Sequence, residues 1–398
     1  MQGVYSASVV ERGKVLASAG NCMECHTRVG GEPYAGGRAM RTPYGVIYST
    51  NLTPDAENGI GAWSFSAFER AMREGISRDG HRLYPAFPYT SFTGMTDEDL
   101  TALYAYLQSR PAVGGAAPPA EMRFPYGARP LMAAWNALYL KEGVKPVNPA
   151  KSETWNRGAY LVGSVGHCSA CHSPRDVLGG ERQGLSYLAG AVNDGWEAPP
   201  LTSLSQAPVP WTSRALFEYL RQGYSAQHGT AAGPMAQVIH SLSALPDTDV
   251  QAMAEYLASL SKPTSEREAT RLADAAVNNS RAVRSTLLGP SQRLFESACG
   301  ACHHEGKGAV QSGLNLSLEL NSGMHSDDPR NLIRTILVGI RTPGVQGLGY
   351  MPAFERNLDD KQIAGLVTYL RARYAPERDA WTNLEQEVIR VRSQLPKD

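Results

Sequence analysis

This chain of 398 residues has no surplus of either charge: 38 Lys and Arg balance 38 Asp and Glu. The basic footprint of a nucleic-acid or anionic-membrane binder is therefore missing. No apolar run approaches the roughly 20 residues needed to cross a bilayer, so no transmembrane segment is expected. The opening MQGVYSASVVERG has no apolar core and does not read as a secretory leader. A Gly-rich nucleotide loop after a strand is lacking, and so is a nucleophile set beside a base. There is also no spare cysteine. All six fall in three CxxCH motifs: Cys22-Met-Glu-Cys25-His26, Cys168-Ser-Ala-Cys171-His172 and Cys299-Gly-Ala-Cys302-His303.

In each motif the two cysteines lie on one face of a helical turn, and the histidine joins them. Covalent haem attachment needs that set: two thiols to add across the vinyl groups and an imidazole to ligate iron. A zinc site can use the four thiolates of two CxxC pairs. It would leave one pair over, and it does not explain a histidine after every second cysteine. The pattern predicts three covalently bound haem c groups, with His26, His172 and His303 as iron ligands. Bacterial haem attachment of this kind is extracytoplasmic. A periplasmic address is expected, with peripheral association on the outer face of the cytoplasmic membrane compatible with it. A leader has then been removed, or export depends on a partner.

Short helical patterns lead into the motifs at residues 10–19, 155–162 and 291–298. A second helix follows each motif, and all three share one pattern. It reads Met95-Thr-Asp-Glu-Asp-Leu100 to Tyr106-Leu107 in the first copy, Leu245 to Tyr256-Leu257 in the second, and Leu358 to Tyr369-Leu370 in the third. Acidic residues open each helix, where the dipole favours them. An apolar stripe runs along one face. Three copies make a repeat. A helix before CxxCH and another crossing it resembles the class I cytochrome c domain, which implies an all-α chain of three tandem domains. The expected boundaries are 1–110, 151–262 and 288–375, separated by 111–150 and by a polar linker over 263–287. The first linker should hold a helix over Arg129 to Lys141 that packs domain one on domain two. An amphipathic tail over 376–398 has Trp381, Leu384, Val388, Val391 and Leu395 at helical spacing. Such a stripe must bury itself on something, more often the chain's own domains than a partner; because it stands beyond the third domain, it is also a candidate docking surface.

Met351 lies seven residues before Leu358 and Met235 ten before Leu245. Both match the second axial ligand of that domain type, which raises the haem potential and closes the iron to substrate. The first copy departs, because its corresponding stretch, Leu83 to Tyr89, has Phe87 and no methionine. Met95 is favoured there as the ligand, with His81 the other choice. His167, His228, His240, His304 and His325 lack ligand spacing. No catalytic residue is expected.

The segments TPYGVIYSTNLTPDAENGIGAWS (42–64), LYPAFPYTSF (83–92) and GHCSACHSPRDVLGG (166–180) resemble the three-haem cytochrome c subunits of periplasmic dehydrogenases. That resemblance implies an electron-transfer subunit passing electrons from a catalytic dehydrogenase subunit to quinone or a terminal oxidase in a respiratory chain. The end of the chain, Ile363 to Tyr374 followed by Ala380-Trp381, is similar to cytochromes accompanying molybdenum hydroxylases. A molybdopterin aldehyde or N-heterocycle oxidoreductase with an iron-sulfur subunit is therefore the favoured partner. The alternatives are a quinoprotein alcohol or flavin sugar or gluconate dehydrogenase, a haem enzyme with an open first haem, and a free-standing shuttle.

Overall fold

Ser6 starts the first helix: its hydroxyl accepts the Val9 amide, and α1 runs Ala7–Ala19. The computed structural model describes residues 5–283, 287–303, 318–341 and 350–395. The chain divides into two compact units, Met1–Tyr187 with Ala244–Met253, and Leu188–Ser243 with Ala254–Asp398. Among the described residues its regular structure is mainly helix, covering about half of them, with a few short strands. Among the described residues, no helix is long and apolar enough to cross a membrane.

In the first unit α1 leads into a single turn, α2 (Cys22–Cys25). Antiparallel β1 (Ala39–Thr42) and β2 (Gly45–Tyr48) follow, then α3 (Phe65–Glu74), α4 (Tyr89–Phe92) and α5 (Asp97–Gln108). β3 (Glu121–Met122) adds to β2, and after it come α6 (Leu131–Tyr139) and α7 (Glu153–Tyr160). α7 continues through a π-helical turn, Leu161–Val165, to α8 (Ser169–His172).

The main packing event is the crossing of α1 on α5. Gly13 allows it: a Cβ there would fall 1.9 Å from the Ala102 carbonyl oxygen. Arg12, beside that glycine, pairs with the buried Asp99 in the first turn of α5 at 2.6 Å. Arg157 in α7 repeats the clamp, donating to both oxygens of Asp249 at 2.8 and 2.7 Å. Helix α6 falls inside the expected range. Its Met132 and Trp135 pack on Tyr84 and Tyr89 of the first repeat, while Trp135 Nε1 donates to the Leu178 carbonyl and Tyr139 to Asp176 beyond the second motif.

The second unit contains β4 (Ala191–Asn193), β5 (Trp196–Ala198), α9 (Ser213–Gln222), β6 (Tyr224–Ser225), β7 (Gly229–Thr230) and α10 (Pro234–Leu242). α11 (Asp247–Ala258) is divided between the units. The remainder is helical: α12 (Glu266–Val283), α13 (Pro290–Ala298), α14 (Ser322–His325), α15 (Arg330–Val338), α16 (Asp360–Tyr374) and α17 (Leu384–Ser393). A reciprocal capping box between Asp359 and Gln362 starts α16.

Two sequence expectations change here. The polar linker over 263–287 contains the long helix α12, whose Ala269 and Ala273 are buried against Val209 and Leu320. Its inner face is mostly alanine, so the stripe carries little hydropathy. The tail is not a spare docking face. Leu384, Val388, Val391 and Leu395 belong to one core with Ile333, Leu337, Ile363, Leu366 and Leu370.

Candidate haem attachment sites

Each CxxCH motif sits at the end of the helix that leads its repeat, so the fold delivers both cysteines and the histidine on one turn. None of the six cysteines is joined in a disulfide. The first cysteine of each pair is half-buried and the second exposed. Burial pushes the Cys22 and Cys168 thiols up to about 12 and Cys299 up to about 11. Burial thus keeps these thiols protonated at neutral pH when no metal is bound. Among the described residues, no group of three or more His, Cys, Asp or Glu converges to hold a metal ion.

His26 has the geometry of an iron ligand. Its Nδ1 lies 2.6 Å from the Thr50 carbonyl, to which it donates, just past the end of β2. That bond fixes the tautomer and turns the lone pair of Nε2 outward for a metal. Burial lowers the pKa of His26, so the ring stays neutral as ligation requires. Thr50 carries no signal in the sequence, because it acts through its backbone oxygen. His172 closes α8 and His303 follows Cys302, both half-buried. The donor set of two thiols and one neutral imidazole fits covalently bound haem.

The first two motifs are brought together inside the first unit. His167, immediately before Cys168, places Nε2 3.1 Å from the carbonyl of Gly20, two residues before Cys22. Its ring also meets Phe92 edge-on at 5.4 Å. Neither contact leaves His167 for iron. His325 is likewise occupied, by Glu377 and the Glu319 carbonyl, while His304 lies outside the described residues.

Met235 sits in the first turn of α10 and is half-buried. Met351 is half-buried too, pairs its backbone with Ile340 and packs on the core of the third repeat. Met95 differs. It is 1% exposed and stands just before Thr96, whose hydroxyl caps α5. His81 is exposed and held by its own hairpin, with Nδ1 2.6 Å from Asp79 and 3.1 Å from the Ser77 hydroxyl.

Comparison with known proteins agrees with this geometry. The cytochrome c family model matches residues 10–111 and 156–261, and that of cbb3-type cytochrome c oxidase subunit III matches 289–370. A nicotinate dehydrogenase subunit of Pseudomonas putida is 51% identical over 391 residues, covering 98% of this chain and 32% of that protein. This chain thus spans about a third of that relative's length. The fructose dehydrogenase cytochrome subunit of Gluconobacter japonicus is 38% identical, covering 92% of this chain and 79% of that protein. For the gluconate 2-dehydrogenase cytochrome c subunit of Pantoea cypripedii the figures are 37%, 92% and 85%. Two matched copies of the cytochrome c model, and the fructose and gluconate dehydrogenase subunits covered over most of their length, make this chain a member of the cytochrome c family, among the cytochrome c subunits of dehydrogenase complexes.

Proposed function

We propose that this chain is an electron-transfer subunit that takes electrons from a catalytic dehydrogenase subunit and passes them to quinone or a terminal oxidase in the periplasm. The observation carrying this reading is the placement of three CxxCH turns, none of them in a disulfide, each at the end of its repeat's leading helix. When bound, haem supplies a one-electron iron couple at each of them. The chain's own residues do the rest. Cys22, Cys25, Cys168, Cys171, Cys299 and Cys302 would anchor the groups, and His26, His172 and His303 would ligate iron. Met235 and Met351 would complete the ligation in the second and third repeats, with the apolar core around Met351 limiting water there. The reading assigns one cytochrome c domain to each of 1–110, 151–262 and 288–375.

For the partner, a molybdopterin N-heterocycle or aldehyde oxidoreductase with an iron-sulfur subunit is favoured over quinoprotein or flavin dehydrogenases. Its support is the 51% identity to the nicotinate dehydrogenase subunit, above the 38% to the fructose dehydrogenase subunit.

Mass spectrometry of the denatured chain should give a mass raised by three haems, and a smaller increase would show a motif unused. The purified complex should contain molybdenum; flavin or pyrroloquinoline quinone in its place would overturn the partner assignment.

A second prediction concerns the axial ligands. Met235→Ala and Met351→Ala should each lower the potential of one haem and open one iron per chain to carbon monoxide. If either variant binds no more carbon monoxide than the unmodified protein, the ligand in that repeat lies elsewhere.

A further inference from the structure

The three repeats share a register that places their axial positions. In each, the helix before the axial position ends at a glycine of positive φ: Gly75 after α3 (66°), Gly223 after α9 (73°) and Gly339 after α15 (72°). In the first two repeats a hairpin of identical register follows. The Leu83 amide donates to the Gly75 carbonyl and the Ala231 amide to that of Gly223, the same spacing in both. Counting on from each glycine, the twelfth residue is Phe87 in the first repeat, Met235 in the second and Met351 in the third. The methionine of the other two repeats is therefore replaced by phenylalanine in the first.

Met95 does not make good the loss. It lies two residues before the first residue of α5, where the other repeats have Leu245 before α11 and Leu358 before α16. Leu245 is buried, and Leu358 packs on the core of its repeat. A residue that ligates iron must keep one side clear of protein. His26, His172, His303, Met235 and Met351 are all half-buried, and so is Phe87. Met95, at 1% exposure, is enclosed by protein on every side. Its carbonyl accepts a hydrogen bond from Arg73, and its amide donates to the Phe92 carbonyl, which pins the backbone as well. His81 bonds through Nδ1 alone, to Asp79 and Ser77 of its hairpin, but as the sixth residue after Gly75 it stands six short of the axial position.

We infer that the first haem site offers iron no side-chain ligand on the Phe87 side, so its ferrous form binds a small neutral diatomic such as carbon monoxide. This rests on the reading of Cys22–His26 as a haem site. Phe87 is held in place by Tyr89 and Phe92, with ring centroids at 6.2 and 5.5 Å. An apolar ring there shields the position from water while donating nothing to the metal.

The experiment is a carbon monoxide titration of the reduced holoprotein, followed by its absorption spectrum, with the haem content counted separately from the denatured mass. One haem per chain should bind carbon monoxide with no substitution made. Phe87→Met should abolish that binding, and Met95→Leu should leave its stoichiometry unchanged. Three haems with no carbon monoxide binding would overturn the inference alone, as would persistence of full binding in Phe87→Met. A gain of binding in Met95→Leu would identify Met95 as the ligand and overturn it too. A chain lacking haem on Cys22 and Cys25 would remove the underlying reading, and this inference with it.

Discussion

Cutting the chain after Arg373 should destroy the third repeat, although every element of its cytochrome motif remains. The segment removed carries Leu384, Val388, Val391 and Leu395, all buried in the core that contains Ile363, Leu366 and Leu370 of α16. Burying each such side chain contributes about 1.5–3 kcal/mol, so four of them contribute about 6–12 kcal/mol. That rivals the whole stability of an ordinary domain, about 5–15 kcal/mol. Polar contacts go with them. Arg392 donates to Asp360 at 2.7 Å and to the Leu358 carbonyl at 2.9 Å, tying α17 to the start of α16. Arg371 is buried and donates to the Asp379 carbonyl at 3.0 Å beneath the ring of Trp381. Truncation would leave its guanidinium short of an acceptor in an apolar setting, a further cost. The denatured truncated chain should show the mass of two haems, with the third motif unloaded. A truncated protein with three haems and unchanged spectra would refute this, and would return the tail to the role of a docking surface.

How legible the molecule was follows from which groups carry the information. CxxCH could be read because its chemistry needs particular side chains at fixed spacing. The paired helices could be read because their stripes are made of Leu, Tyr and Val, as in Leu100, Leu103 and Leu107 of α5. α12 escaped notice because its buried positions Ala269 and Ala273 have little hydropathy. The tail's stripe was visible, but a period of 3.6 says only that a face is buried, not what covers it. Thr50 was out of reach, since a backbone carbonyl has no sequence signature. The second ligand of the first repeat was only partly legible: the stretch Leu83 to Tyr89 holds Phe87 and no methionine, and Met95 is the nearest thioether. Only the structure supplies the conformation of the helix-closing glycine as a landmark, and with it the full burial of Met95.

The crossing of α1 on α5 should be the most sensitive point of the first repeat, and Gly13→Ala should reveal it. The added methyl carbon would stand 1.9 Å from the Ala102 oxygen, 2.6 Å from its carbonyl carbon and 2.7 Å from Tyr106 Cβ. None of these atoms can swing away by a rotamer change, so the helices must part. Around the contact, Leu16 and Ala17 of α1 and Ala102 and Leu103 of α5 are all buried, and they would lose contact together. Arg12 and Asp99 would be drawn apart as well, and Asp99 is buried at 1% exposure of its side chain. Overpacking of a tight core costs about 1–3 kcal/mol, and backbone atoms that cannot yield put this site at the upper end. For a compact unit of about 150–250 residues that lowers Tm by roughly 6–12 °C. The third repeat provides the control. At Gly365 in α16 a methyl group would meet only the Ser291 hydroxyl, 2.8 Å away and free to rotate. There the helix gains about 1 kcal/mol in propensity from alanine, so Gly365→Ala should leave Tm unchanged or raise it. Thermal unfolding followed by circular dichroism compares the two. If Gly13→Ala melts no lower than Gly365→Ala, the close approach of α1 to α5 is not what holds the first repeat together.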